Sequence, residues 1–252
     1  MGATTSPRVE IGSARKHLDL ITLIPVLYGN GLNTCFPCPP DLLTEIIRIN
    51  HLRSLLHGSA VPGDTDPVLL RESRCSAALD ILRRIRAFPT DKWAAEVVVG
   101  LCGGSSASQP DLAGWHAVAS IYQSAVAIYC ISSLLHDECG NSNRLDDQLG
   151  PRQVLNNARD ACRRVLVSRL REVTSCTQLR KLVLWPLVVA GVEAEDEDTK
   201  KFVVGELTWV SNALGTAAPL VAKDLLENRV WRLGLGGRSW DELFDQPYVF
   251  VI

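Results

Sequence analysis

Between Leu112 and His136 the chain carries no formally charged residue. A run of that length has two homes, the hydrocarbon of a bilayer or the inside of a protein. Ser120, Gln123, Ser124, Ser132 and Ser133 interrupt it, and no basic residue anchors its leading side. It is therefore read as a central buried helix, capped by Asp111 and running to about His136. A second uncharged run, Leu182 to Val192, contains Pro186 and stops abruptly at five carboxylates: Glu193, Glu195, Asp196, Glu197 and Asp198. It is too short to cross a bilayer, which takes about 20 apolar residues. Carboxylates suit the first turn of a following helix, where free N–H groups and the helix dipole favour negative charge. Two helices meeting at a tight corner are expected. The first is buried on most sides, and the second starts near Glu195 and runs through Phe202, Leu207 and Val210.

Elsewhere apolar residues recur at helical spacing, and sustained period-two alternation is hard to find. The expected fold class is all-α: a single helical domain of about eight to nine helices around the buried central helix. In "PPDLLTEIIRINHLRSLLHG", Pro40 and Asp41 open a helix, Leu42, Ile46, Ile49 and Leu56 share a face, and Gly58 closes it. Asp66 and Pro67 start another, ended by Pro89, and "DKWAAEVVVGLC" is a short helix or a strand. An Arg-rich helix begins at Pro151, and two helices follow the acidic corner to about Arg232. The Gly/Pro/Asp stretch after Gly58, "GGSSASQPD" and "DECGNSNRLDDQLG" read as loops, and Val249 to Ile252 as an apolar tail.

Net charge is −2 and the sequence pI is about 6.2, so no overall positive field draws the chain to nucleic acid or anionic lipid. In the Arg-rich helix, Arg159 and Arg163 could meet phosphate, but Leu166 and Leu170 continue an apolar face beside them, and a solvated amphipathic surface is the preferred reading. Eight cysteines are scattered, with Cys35 and Cys38 the one C-x-x-C pair. Without a second close pair of Cys or His ligands no zinc site is expected, and no cofactor motif is found. Met1, Gly2 and Ser6 match the short pattern for myristoylation, which recurs often by accident.

"CPPDLLTEIIRINHLR", "AGWHAVASIYQSAVAIYCISSLL", "LVLWPLVVAGVEA" with its acidic residues, and "SWDELF" resemble, in that order, the C-terminal regulatory domain of fungal zinc-cluster transcription factors. The closest branch is the fungal-specific transcription factor domain 2, and Trp185 to Ala194 is its most specific element here. The resemblance implies an all-α domain over 38–252, preceded by a helical lead-in with a loop at 1–37. It also implies regulation of transcription, through a protein partner or a small apolar ligand, in the nucleus or otherwise the cytoplasm, with secondary metabolism as a setting. Gly191 would permit close helix approach. Glu193 would be a first-turn capping group, the preferred reading, or a partly buried acid with a basic partner. The six-cysteine, two-zinc module that opens such factors is not matched by the one C-x-x-C pair, so sequence-specific DNA binding by this chain alone is not expected.

Trp115, Tyr122, Tyr129 and His136 recur every seven residues and lie near one helix face. Trp115, Tyr122 and Tyr129, with Trp185 as a facing wall, are the candidate ligand-binding residues; an ordinary aromatic core stripe is the competing reading. An alternative function is a metal-free isomerase or cyclase built on the same domain, with His116 as first choice of general base. A dimer, and a fragment of a longer regulator, also stay open.

Overall fold

The computed structural model describes residues 2–6, 14–29, 37–58, 67–101, 111–135, 151–236, 239–246 and 248. Among these residues the chain is all-α, with eleven α-helices, nine of them at least eight residues long, and no strand. The expected loops at 59–66, 102–110 and 137–150, the tail Val249 to Ile252, and the side chains of Cys35 and His136 lie outside the described residues.

The helices are numbered α1 to α11 in chain order, and α5 (Leu112–Cys130) organises the rest. The Asp111 carboxylate accepts from Gly114 N–H at 2.8 Å, satisfying one of the donors left over at a helix start. The helix continues into a π-helical turn, Ile131–Leu135, so the whole rod is 24 residues and apolar enough to cross a membrane by length and composition. Protein surrounds it instead: 94% of its apolar window is buried. α2 (Pro40–Gly58), α3 (Pro67–Arg86), α4 (Thr90–Leu101), α6 (Pro151–Val173) and α8 (Leu184–Val192) all pack on it. Two of its polar interruptions serve as local ties. Gln123 Nε2 donates to Ile85 O at 2.9 Å, at the carbonyl end of α3, and Ser120 donates back to His116 O.

Every residue of α8 is buried, as its composition requires. Pro186 is its third residue, inside the first turn, where a missing N–H removes no intrahelical bond; the first such bond is Leu187 N–H to Val183 O at 2.9 Å. Gly191 lets α8 pack closely against its neighbours: a Cβ there would lie 2.4 Å from Leu226 Cδ1 and 3.2 Å from Val203 Cγ1. Those neighbours are α9 (Glu197–Leu214), which ends at the left-handed Gly215, and the π-helical turn Leu226–Trp231 that continues α10 (Ala218–Leu225).

The remaining elements are α1 (Ala14–Gly29), which lies along α2, the single turn α7 (Thr177–Arg180), and α11 (Trp240–Leu243). The N-terminal turn Gly2–Thr5 meets the segment that follows α10. Tyr248 N–H donates to Thr5 O at 2.9 Å, and the Trp240 indole N–H donates to Thr4 O at 2.5 Å.

Candidate functional site

The corner between α8 and α9 gathers five carboxylates, of which Glu193 is the buried one. Asp196 caps α9, accepting from Thr199 N–H at 2.7 Å and from its hydroxyl at 2.8 Å, and these bonds hold its carboxyl below the usual range. Glu197 and Asp198 follow in the first turn, as the helix dipole favours. Glu193 does something else. It sits at the end of α8, buried, and its two oxygens accept from Arg159 Nε at 2.8 Å and Nη2 at 2.5 Å. The preferred capping reading of Glu193 is thereby replaced by the paired-acid reading, because a carboxylate taken out of water needs a cation and two donors to offset its desolvation.

Arg159 is the first of three such links. Arg163 pairs with Glu195, and Arg171 with Asp198 at 2.6 Å, so α6 meets the corner with arginines at positions 159, 163 and 171 of one face. The solvated-face reading of the Arg-rich helix is corrected on that face: Arg159 is buried, Arg163 is half-buried, and both are engaged by carboxylates. Each stretch alone resembles a surface charge run; stacked, they neutralise one another.

Two clefts flank this ladder. One, of about 430 Å³, lies between α6, the corner and the π-helical turn, where Asn156, Arg163, Lys200 and Trp231 meet the backbone of Gly234 and Gly236. The other, of about 520 Å³, runs beside Arg164, Val167 and Ser168. Arg163, Glu193, Ala194 and Glu195 line both, so the Arg163–Glu195 ion pair is part of the wall between them. Trp231 is fixed by its indole N–H, which donates to Gly191 O at 2.8 Å, and Lys200 Nζ lies 5.8 Å from its ring centroid. Neither Lys200 nor Trp231 was marked by a motif in the sequence. They are thirty-one positions apart, and only the fold of α9 against the π-helical turn places them together.

The aromatic residues singled out on α5 are all buried. Tyr122 donates to Leu182 O at 2.8 Å. Tyr129 receives an N–H from Arg53 Nη1 at 2.7 Å and donates to Asn50 Oδ1 at 2.5 Å. Arg53 is itself wholly buried, bonded also to Asp241 and to Ser6 O, so this cluster ties α2, α5, α11 and the N-terminal turn together. Trp185 meets Tyr129 edge to face at 6.0 Å, and Trp115 meets Trp93 in the same way. Burial pushes the Tyr129 phenol up to about 12, against the pull of Arg53, and carries Tyr122 well above its ordinary value. None of Trp115, Tyr122, Tyr129 and Trp185 lines either cleft; the polar atoms they leave without an acceptor are the indole N–H groups of Trp115 and Trp185.

His116, like Trp115 beside it, faces α4, its Nε2 3.1 Å from Asp91 Oδ1 and 3.3 Å from the Thr90 hydroxyl. A His–carboxylate contact can orient an imidazole for proton transfer. Asp91 is almost fully exposed, however, and the contact borders neither cleft. Cys38 is buried with its thiol toward Pro39 O, and burial raises it well above the usual range. No group of three or more His, Cys, Asp or Glu placed to hold a metal is found among the described residues.

A family model described as "Fungal specific transcription factor domain" matches residues 1–246. The chain belongs to this family. It is 33% identical over 216 residues to the phomenoic acid biosynthesis cluster-specific transcriptional regulator of Leptosphaeria maculans. That similarity covers 85% of this chain and 36% of the regulator, so the chain spans little more than a third of that relative's length. No solved structure matches the chain. Membership assigns the buried α8, with its Trp-Pro-Leu opening and its closing Glu193, to a regulatory domain of fungal transcription factors.

Proposed function

We propose that this chain is an effector domain for transcription of a secondary-metabolite gene cluster. It acts in the nucleus through a protein partner or a small ligand, and does not read DNA by itself. The relative's role as a cluster-specific regulator supports the setting. The engagement of Arg159, Arg163 and Arg171 by carboxylates is the observation that carries the mode of action. Phosphate contact requires cations free to displace counterions, and these three face acids of their own chain. What the corner offers instead is a pair of clefts with the Arg163–Glu195 ion pair in the wall between them, bounded by two helices whose mutual position that pair helps to fix.

A tethering experiment tests this reading. Joined to an unrelated DNA-binding module in a fungal host, the chain should change expression of a reporter bearing that module's site by several-fold, and the isolated chain should shift no duplex in a sequence-dependent way. An unchanged reporter, with the fusion intact and nuclear, would overturn the effector reading. A sequence-specific mobility shift by the isolated chain would overturn the mode of action.

A further inference from the structure

The α6–corner cleft has the chemistry of an anion-exchange site. We infer that it takes a small planar monocarboxylate, aromatic or conjugated, whose carboxylate displaces Glu197 from Lys200 and Glu195 from Arg163 while its flat body lies on Trp231. The inference rests on the effector reading for its purpose, but binding is measured on the isolated chain and so stands or falls separately.

Size comes first. At about 430 Å³ the cleft is in the range of small-molecule sites. A Cβ on Gly234 would meet nothing within 4 Å, so open space adjoins the cleft there. The charges then decide what kind of molecule fits. Arg163 and Lys200 are sunk in the protein, with side chains 25% and 22% exposed, whereas their partners Glu195 and Glu197 are 78% and 75% exposed. The cations are held in place and the anions stand in water. Such half-exposed pairs contribute little, so exchanging one carboxylate for another costs little and returns the glutamates to solvent. Arg159 takes no part, because its bidentate pair with Glu193 is buried.

Trp231 supplies the body contact. Its ring is oriented by the bond to Gly191 O and has Lys200 Nζ near it, so a planar group stacked on the indole brings a carboxylate at its edge within reach of that ammonium. Asp160, also in the cleft and 3.4 Å from Arg163, sets the charge limit: with the fixed acid Glu193 also in the lining, a phosphate-like dianion meets about twice the repulsion that a monoanion does. Occupation would open the Arg163–Glu195 pair in the wall between the two clefts, and so loosen the start of α9 from α6.

The probe is 2-naphthoate, with 2-naphthalenemethanol as its neutral counterpart, titrated calorimetrically into the whole chain. Saturable one-to-one binding is expected, with the alcohol weaker by about tenfold or more. Lys200→Gln should weaken naphthoate by about tenfold. Glu197→Gln, which removes the internal competitor, should tighten it, while Asp198→Asn, which removes the same charge from a residue paired with Arg171 instead of Lys200, should not. Any one of three results overturns the proposal: no saturable naphthoate binding, equal binding of the alcohol, or equal tightening by Glu197→Gln and Asp198→Asn. Should Lys200→Gln fail to fold, the comparison of the two acid variants decides alone. Binding beside a silent reporter would sink the effector reading and leave the site standing.

Discussion

Replacing Gly191 by alanine puts a methyl carbon where three atoms already stand: Leu226 Cδ1 at 2.4 Å, Leu226 Cδ2 at 3.0 Å and Val203 Cγ1 at 3.2 Å. Favourable carbon contacts begin at about 3.5 Å. Two of the blocking atoms end one side chain, but Leu226 is wholly buried in the π-helical turn behind α8, so it must leave its rotamer or push α8 away. Overpacking of this kind costs about 1–3 kcal/mol. Alanine recovers about 1 kcal/mol of helix propensity, leaving a net loss of about 0–2 kcal/mol. Gly205 in α9 is the control, since a Cβ there meets nothing within 4 Å. Gly205→Ala should therefore be stabilising by up to about 1 kcal/mol. At about 2–4 °C per kcal/mol for a chain of this size, Gly205→Ala should raise Tm by a few degrees, and Gly191→Ala should lower it or leave it unmoved. Leu226→Ala removes both nearest atoms, so a double-mutant cycle with Gly191→Ala should show coupling of about 0.5–3 kcal/mol. Equal Tm gains at both glycines, or strict additivity in the cycle, would refute the close approach.

Three further outcomes follow from the buried polar groups. Tyr129→Phe leaves the Arg53 guanidinium and Asn50 short of a partner and should cost about 1.5–3 kcal/mol in a urea titration, whereas Tyr122→Phe, which gives up one bond to Leu182 O, should cost about 1 kcal/mol. If ligand binding is lost in either variant at full stability, the aromatic stripe is a binding surface; binding that merely follows the folded fraction makes it core. Glu193→Ala takes both carboxylate bonds from the buried Arg159 guanidinium and should cost about 3–5 kcal/mol, while Arg159→Met with Glu193→Leu should recover most of that loss. Tyrosines in the unfolded chain ionise near pH about 10, and the folded chain holds the Tyr129 proton up to about 12. This contribution to stability is complete below the unfolded value and is lost as pH rises through the folded one, so urea midpoints measured at stepped pH should fall across that window. Midpoints that stay level throughout it would show that the phenols are not sheltered.

Local signals in the sequence were enough for the helices and too little for the site. Asp111, Pro40 with Gly58, and the acidic opening of α9 each act within one turn of backbone, so their effect can be read from neighbours in the chain. The close approach at Gly191 was expected through the family resemblance and not through a local signal. The partner of Glu193 was not legible, because it lies thirty-four residues away on a helix whose own pattern is that of a surface face. The same distance effect hid the cluster of Arg53, Tyr129 and Asp241, which draws on α2, α5 and α11, and the pairing of Lys200 with Trp231. Periodicity reports which face of a helix is buried; it carries no information on what that face meets.

The apolar run and its acidic stop make sense only as one device with α6. A helix buried on all sides, as α8 is, brings the negative end of its dipole to the corner, and Glu193 adds a carboxylate at that same end. Alone this placement is unfavourable, and four more acids in the next few residues compound it. Arginines along one face of α6 offset it in graded steps. Arg159 and Glu193 are both buried; Arg163 is sunk while Glu195 is exposed; Arg171 and Asp198 are both exposed. Breaking the inner pair leaves a charge in a poor solvent and threatens the fold, while the outer pair is screened and contributes little. The middle pair is the one step where a cation is fixed and its anion can leave. A carboxylate ligand acting there can alter how α9 is held against α6 without dismantling the lock beneath it, which a regulatory domain requires of any signal it must reverse.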